Sequence, residues 1–439
     1  MKLYEYARRI NKVLKEKKKE EAGRYLSPVR RLERVAPVGS ERVVAMTFDD
    51  GPMALPPNPV NKKYTQNDSL TGLLMEIMAS YDARGTFDII GSTKENYPDH
   101  AGSLGTSKWG GTMHDHYPQF GADDYAGAAN QAALIDKLIS GGHELSNHGY
   151  RHVLFGPNKL VYGSRYHFRK LDEVAGDLTR LHALIENQHH YTMAFSRPPH
   201  YIDKIPDGYD AYDAYALMGY DYLAASFDGG GWLPSTGDYK ADIGKMTAPL
   251  EKALRADPDA MNGQIIFQKD GYNMSLMTPV GHALEEHLKL LKDNGYRVAA
   301  AGELKKLSPF EDIDTGADYI EKLRQLDQKG YVIGYKNNTF KPDKPLTFGE
   351  MLTMTLTKED YREFLRNEVL AKGFHKQYKK HPYYPAYKKY NLLDQIHNST
   401  EQVSSDEIKK FLYEKLHTEI QAGEKKVVLR REYITILPF

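Results

Sequence analysis

Cysteine is absent from the 439 residues of this chain. Disulfides and thiolate zinc sites are therefore excluded, and any metal must be held by histidine and carboxylate. Charge of one sign is missing too: Lys plus Arg equals Asp plus Glu at 59 each, for a formal net charge of +0. A nucleic-acid surface needs a basic excess to neutralise phosphates, and this composition argues against one. No stretch reaches the ~20 apolar residues of a membrane helix. Nor do the first residues carry the apolar core of a signal peptide, because Lys15, Lys17, Lys18, Lys19 and Glu20 stand there instead. Tryptophan is scarce at 2 whereas tyrosine is abundant at 32. Tyrosine-rich surfaces suit sugar stacking, although tyrosine also serves as ordinary packing material.

What is present divides the chain. Its length suggests two or three domains. Tyr4, Ala7, Ile10 and Leu14 form one apolar stripe, which predicts a charged lead-in helix; a basic linker through Arg30, Arg31 and Arg34 completes a segment 1–40. From Arg42 onward, apolar strands alternate with helical periodicity. Strands are expected at 43–48, 86–90, 144–147, 193–197, 223–227, 264–267 and 297–300, and helices at 70–84, 126–140 and 168–186. Such alternation implies an α/β fold with a parallel sheet: a distorted (β/α) barrel of about seven strands over 41–307. Ser308-Pro309 marks the boundary to a small, mainly helical C-terminal module. The connection at 92–125 is too long for a tight turn and reads as a functional lid or a solvated loop. It contains His100, His114, Asp115 and His116, a candidate for a second metal site.

The chemistry gathers at predicted strand tips. The apolar run 43–48 ends in Asp49 and Asp50, followed by the turn signal Gly51-Pro52. Barrels of this class build their sites at the carboxyl ends of strands; a solvated Asp-Gly turn is the plainer reading of the dipeptide alone. His148 and His152, four residues apart, come together on one side of a helical turn. With Asp50 they supply three protein ligands and leave positions open for water and substrate, the arrangement of a catalytic metal. Asp49 is the adjacent carboxylate and the candidate base. Arg197 ends another strand and can grip a carboxylate with two parallel hydrogen bonds. Asp228, at the next strand tip, is its natural partner. Pro198, His200 and Trp232 are candidate substrate contacts. Trp232 reads as a flat wall for a sugar ring, or as a half-buried packing residue beside the run Gly229-Gly230-Gly231.

Together Thr47-Phe48-Asp49-Asp50-Gly51, the segment 85–91 (GTFDIIG), the His148/His152 pair and Arg197-Pro198-Pro199 resemble the polysaccharide deacetylase family. This is the NodB-homology fold, also grouped as carbohydrate esterase family 4. The resemblance covers 41–305. It implies that Asp49 is the base, that Asp50, His148 and His152 bind a divalent metal (usually zinc), that Arg197 orients Asp49, and that Asp228 lies behind the catalytic groups. The implied reaction is metal-assisted hydrolysis of an N-acetyl or O-acetyl group on a cell-envelope polysaccharide such as peptidoglycan or a chitin-like glycan. Two positions depart from the family. Lys269 stands where a histidine general acid is expected, and Gly231 falls where an acid usually precedes the tryptophan. A lysine that donates a proton needs a lowered pKa to cycle near neutrality; His200 and His282 are the other acid candidates. A catalytically impaired glycan-binding protein on the same fold, and an amidase on a non-sugar amide, are the alternative readings.

Residues 308–359 resemble an S-layer homology repeat, a module that anchors proteins to secondary polymers of bacterial cell walls. The resemblance rests on Phe310-Glu311-Asp312, Gly330-Tyr331-Val332-Ile333-Gly334, Phe340-Lys341-Pro342 and Leu346-Thr347-Phe348-Gly349-Glu350. Phe348 takes the place of the basic residue that usually follows the threonine. A second, degenerate copy is read at 382–416 within 360–439, against the competing reading of a plain helical module. The repeat implies a cell-wall polymer as partner and a location at the cell surface; with no export signal in the chain, the cytoplasm is the alternative.

Overall fold

The computed structural model describes residues 17, 20–57, 69–95, 107–109, 112–114, 124–157, 166–233, 236, 238–271, 278–370, 381–421 and 423–439. For 107–109, 112–114, 369 and 370 it describes the backbone alone. The chain forms two compact units. One is Pro37–Lys305, and the other combines Met1–Ala36 with Lys306–Phe439.

The first unit is a curled parallel sheet clothed in helices. Its central strand is β1, Arg42–Asp49, in which Val43, Val44, Ala45, Met46 and Phe48 are all fully buried. A strand covered on both faces reads as a continuous apolar run rather than an alternating one. The other strands are β2 (Thr86–Ile89), β3 (Glu144–Asn147), β4 (Phe195–Ser196), β5 (Asp221–Leu223), β6 (Phe227–Asp228), β7 (Ile265–Lys269) and β8 (Tyr296–Ala299). From β1 the sheet runs one way through β2, β3, β4 and β5, and the other way through β7 to β6. β8 pairs with the first half of β1, at Arg42 to Ala45. All of these pairings are parallel, so the strand tips carrying Asp49, Asn147, Ser196, Asp228 and Lys269 lie at one end. The strand expected at 223–227 is two short ones, β5 and β6, separated at Ala224.

Helices α1 (Leu70–Ser80), α2 (Ala132–Ser140), α3 (Leu171–His189), α4 (Ala211–Met218), α5 (Tyr239–Ala256) and α6 (Val280–Asp293) form the outer layer. Ser69 caps α1 by accepting the Gly72 N–H at 3.0 Å. Val174, Leu178, Leu181 and Ile185 recur at three and four residues and put one stripe of α3 in the core. Helix α2 begins at Ala132, not at 126 as the pattern suggested. The N–H groups of Gly127, Ala128 and Ala129 are committed to the carbonyls of Pro52, Ile90 and Gly91 at 2.9–3.0 Å. That segment therefore braces the tips of β1 and β2. Within the long connection, Ser107–Trp109 and Thr112–His114 make an antiparallel ribbon. Of the histidine and aspartate candidates there, His100, Asp115 and His116 lie outside the described residues, and only the backbone of His114 is described.

The second unit has its own core, including Leu26, Phe310, Tyr335, Leu346, Met351, Val403, Ile408, Val428 and Tyr433. The basic linker belongs to it: buried Arg30 donates to the Pro309 carbonyl at 3.0 Å and pairs with Asp327, while Ala36 N–H bonds the Phe310 carbonyl at 2.8 Å. The stripe Tyr4, Ala7, Ile10 and Leu14 lies outside the described residues. Three helix starts in this unit are built alike. Glu350 accepts the N–H of Thr347 at 3.3 Å, and Glu407 accepts that of Ser404 at 2.7 Å. Glu432 accepts that of Leu429 at 2.8 Å. The helices that follow are Phe348–Thr353, Ser405–Leu416 and Arg430–Ile436. The residues just ahead of the three starts are bonded in a ring. Leu346 N–H donates to Val428 O at 2.8 Å, Val428 N–H to Val403 O at 3.2 Å, and Val403 N–H to Leu346 O at 3.1 Å. The start at 429–436 lies beyond the degenerate copy read at 382–416.

Candidate metal centre and active site

The site is built on the turn that leaves β1. Asp270, at the end of β7, is fully buried, and burial pushes its carboxyl up to about 8. Its N–H donates to Asp49 O at 2.7 Å, and its carboxyl oxygens lie 2.7 and 2.8 Å from the Thr71 hydroxyl. That hydroxyl also accepts the Met53 N–H at 2.7 Å. The turn 49–53 is thus gripped between β7 and the start of α1. Gly51 is required there because a Cβ would stand 1.9 Å from Asp270 Oδ2. Asp50, His152 and His200 all adopt left-handed backbone, with φ of 82°, 52° and 55°. Side chains rarely do so, and such outliers gather at functional sites.

Asp50, His148 and His152, far apart in sequence, converge. Asp50 Oδ1 lies 3.3 Å from His148 Nε2 and 3.2 Å from His152 Nε2, with all three residues buried. Asp50 Oδ1 has no hydrogen-bond donor. A buried carboxylate oxygen without a donor, facing two imidazole nitrogens, is the donor set of a divalent-cation site. Burial alone would raise the Asp50 carboxyl, but Lys269 and His152 hold it well below the usual carboxylate range. Burial pushes the His152 ring down to about 4, leaving it the neutral ligand form. His148 is different: burial works against its charge, but Asp88 and Asp49 push it up to about 10 in the metal-free protein.

Beside this set stands Asp49, whose carboxylate takes a hydrogen bond from Arg197 Nη1. Arg197 is fully buried and also donates to Thr47 Oγ1 at 3.1 Å and to the Leu223 carbonyl at 3.3 Å. Burial raises the Asp49 carboxyl and Arg197 offsets much of that, leaving it at about 6. The expected pairing of Arg197 with Asp228 is therefore replaced. Asp228 is exposed, accepting the Gly230 N–H at 2.8 Å and Trp232 Nε1–H at 2.7 Å. The physical reason is register: β7 lies between β1 and β6, whereas Arg197 reaches Asp49 on β1 through the interior.

Lys269 stands opposite Asp49 in the β1–β7 register, and its ammonium pairs with Asp50 Oδ2. Of the other acid candidates, His282 bonds the Tyr239 hydroxyl at 2.8 Å in the helical layer, while the His200 ring lies 5.0 Å from that of His152. Pro198 is buried and Trp232 half-buried. Sequence reasoning missed Asp88, a fully buried acid on β2 whose Oδ2 lies 2.9 Å from His148 Nδ1. The available signal was an acid set inside an otherwise apolar strand.

Residues 37–204 match the polysaccharide deacetylase family, and residues 309–352 match the S-layer homology domain. No curated protein matches the chain. Among solved structures, the peptidoglycan deacetylase of Bacillus subtilis is 17% identical with a TM-score of 0.40, over 66% of this chain and 96% of that one. The chitin deacetylase of Colletotrichum lindemuthianum is 16% identical at 0.41, over 64% and 92%. A family 4 acetyl xylan esterase from Clostridium thermocellum is 19% identical at 0.39, over 61% and 95%. The first unit thus contains a polysaccharide deacetylase domain, and the second an S-layer homology domain. The family match takes in Asp49, Asp50, His148, His152 and Arg197; Asp228 and Lys269 lie beyond its end.

Proposed function

We propose that this protein removes acetyl groups from an amino-sugar polysaccharide of the cell envelope, with Asp50, His148 and His152 holding a zinc ion. The observation that carries the reading is Asp50 Oδ1, buried without a donor between two imidazole nitrogens at 3.2 and 3.3 Å. A divalent cation there supplies Lewis acidity, polarising the acetyl carbonyl and making water more acidic. The protein's own groups do the rest. Asp49, ionised above about pH 6, accepts the proton of the attacking water. Arg197 fixes that carboxylate in place and keeps it ionised at neutral pH. As the carbon–nitrogen bond breaks and acetate forms, Lys269 delivers a proton to the departing amine. Trp232, tethered by Asp228, gives a sugar ring a flat neighbour at the same end of the sheet.

The S-layer homology domain supports attachment to a wall polymer and residence at the cell surface. Phe348 does not contribute a cation to such contact. It packs into the apolar core with its ring 6.0 Å from that of Tyr387.

A second reading, a glycan-binding protein without turnover, has one observation behind it. The Lys269 ammonium already neutralises Asp50, as a bound cation would. Acetate release from N-acetylated chito-oligomers and peptidoglycan fragments, after chelation and zinc re-addition, separates the two. Release that returns with zinc and is lost in His148→Ala supports the enzyme. Stoichiometric zinc binding with no release from either substrate would leave the binder.

A further inference from the structure

We propose that Asp88 is a positioning residue for the metal centre: its buried carboxylate holds the His148 ring so that Nε2 faces Asp50. The inference rests on the metal reading above and adds a group to it. Asp88 lies on β2, in register with Asp49 on one side and Ser146 on the other, so the three side chains share a cross-strand row. Its neighbours Phe87 and Ile89 are fully buried apolar residues, and Asp88 is as inaccessible as they are. Taking a carboxylate so far from water is costly unless specific partners compensate. Here they are a hydroxyl and an imidazole. Ser146 Oγ–H donates to Asp88 Oδ1; Oδ2 takes no hydrogen bond and lies 2.9 Å from His148 Nδ1 as the acid of a buried ion pair.

The same Nδ1 lies 2.8 Å from the Arg197 carbonyl oxygen. Both neighbours are acceptors, so Nδ1 keeps its proton, and in the neutral ring that binds a metal Nε2 is the nitrogen left to offer a lone pair. Nε2 is also the nitrogen that faces Asp50 Oδ1. A ligating imidazole whose other nitrogen donates to a carbonyl is held in one tautomer, and a carboxylate against that same nitrogen makes it a more basic ligand. The carbonyl alone would fix the tautomer; the carboxylate adds the negative charge. Through Asp88, the Ser146 hydroxyl becomes the outermost link in the chain that orients the metal ligand.

Zinc affinity tests this directly, measured by competition with a chromogenic chelator on the full chain. The melting temperature of each metal-free protein is followed in parallel. Asp88→Ala is expected to weaken zinc binding roughly 10–100-fold. Asp88→Asn keeps an acceptor but loses the charge, and falls between Ala and wild type. In the zinc-loaded protein, the downfield proton resonance of His148 Nδ1–H should move in Asp88→Asn and in Ser146→Ala. A folded Asp88→Ala protein that binds zinc as tightly as wild type overturns the proposal. If that variant does not fold, wild-type zinc affinity in both Asp88→Asn and Ser146→Ala does the same. Wild-type protein that takes up no zinc sinks the metal reading itself, and this inference with it.

Discussion

Lys269 places its ammonium on Oδ2 of Asp50, the carboxylate whose other oxygen faces His148 and His152. One side chain therefore holds a fixed positive charge and a candidate metal position on its two oxygens. The two cations compete for the charge of Asp50, and the site keeps Lys269 although a neutral residue would bind metal more tightly. On the proposed reading, the need for a proton donor to the leaving nitrogen accounts for that arrangement.

Lys269→Met should separate the two effects. A like charge at this range typically shifts a charge equilibrium by ~1–3 pKa units, so zinc binding should tighten about tenfold. Acetate release should fall at the same time. Calorimetric zinc titration and a release assay on one preparation check both; unchanged zinc affinity would remove Lys269 from the electrostatics of the site.

The pH profile follows from Asp49. Below about pH 6 its carboxyl keeps its proton and cannot accept another, so kcat/KM should rise through that value and level off above it. Arg197 holds this pKa down. Arg197→Met should therefore move the rising limb upward by ~1 unit or more, as well as lowering the plateau. A profile that stays flat between about pH 5 and pH 7 would exclude Asp49 as the base.

Asp228 bonds Trp232 and not Arg197, so its loss should be felt in substrate binding. One hydrogen bond is worth ~1 kcal/mol, which corresponds to about a fivefold change in KM. Asp228→Ala and Trp232→Phe should each raise KM by that factor and leave kcat nearly unchanged. A collapse of kcat in Asp228→Ala would instead tie it to the reacting groups.

Arg430 is fully buried in the second unit. It donates to the carbonyls of Phe340 at 2.7 Å and Ile333 at 2.6 Å and lies 3.7 Å from buried Glu350. Arg430→Met strips part of the compensation from Glu350 and should cost about 3 kcal/mol of that unit's stability. Chemical denaturation of the two proteins reads the difference, and a change within experimental error would mean that Lys344 and Tyr335, which also donate to Glu350, suffice for it.

How far the sequence could be read depended on whether the signal was local. Asp49 and Asp50 announce themselves because a buried strand runs straight into Gly51-Pro52, and the His148/His152 spacing is legible within five residues. Strand–helix alternation stops near Leu307, and the first compact unit ends at Lys305. Pairings across the sheet were harder. Arg197 and Asp228 look like neighbours along the chain, but Asp49 lies 148 positions from Arg197 and the register brings it closer. Asp88 was hidden because a single acid in a four-residue strand reads as part of the apolar run until its cross-strand row is known. The third helix start was masked by Leu429, which stands where the other two have Thr347 and Ser404. The backbone N–H that Glu432 accepts is common to every residue type and leaves no mark in the sequence.

The ring joining Leu346, Val403 and Val428 is a clasp of three links, each holding the next. None of its bonds is between residues close in sequence, so every one requires a long loop to be closed first. Taking away any one link breaks two of the three bonds. A chain with two starts in place and the third displaced keeps a single bond of the ring. A disturbance at 429–436 therefore reaches Leu346 and Val403 directly, through the two bonds of Val428.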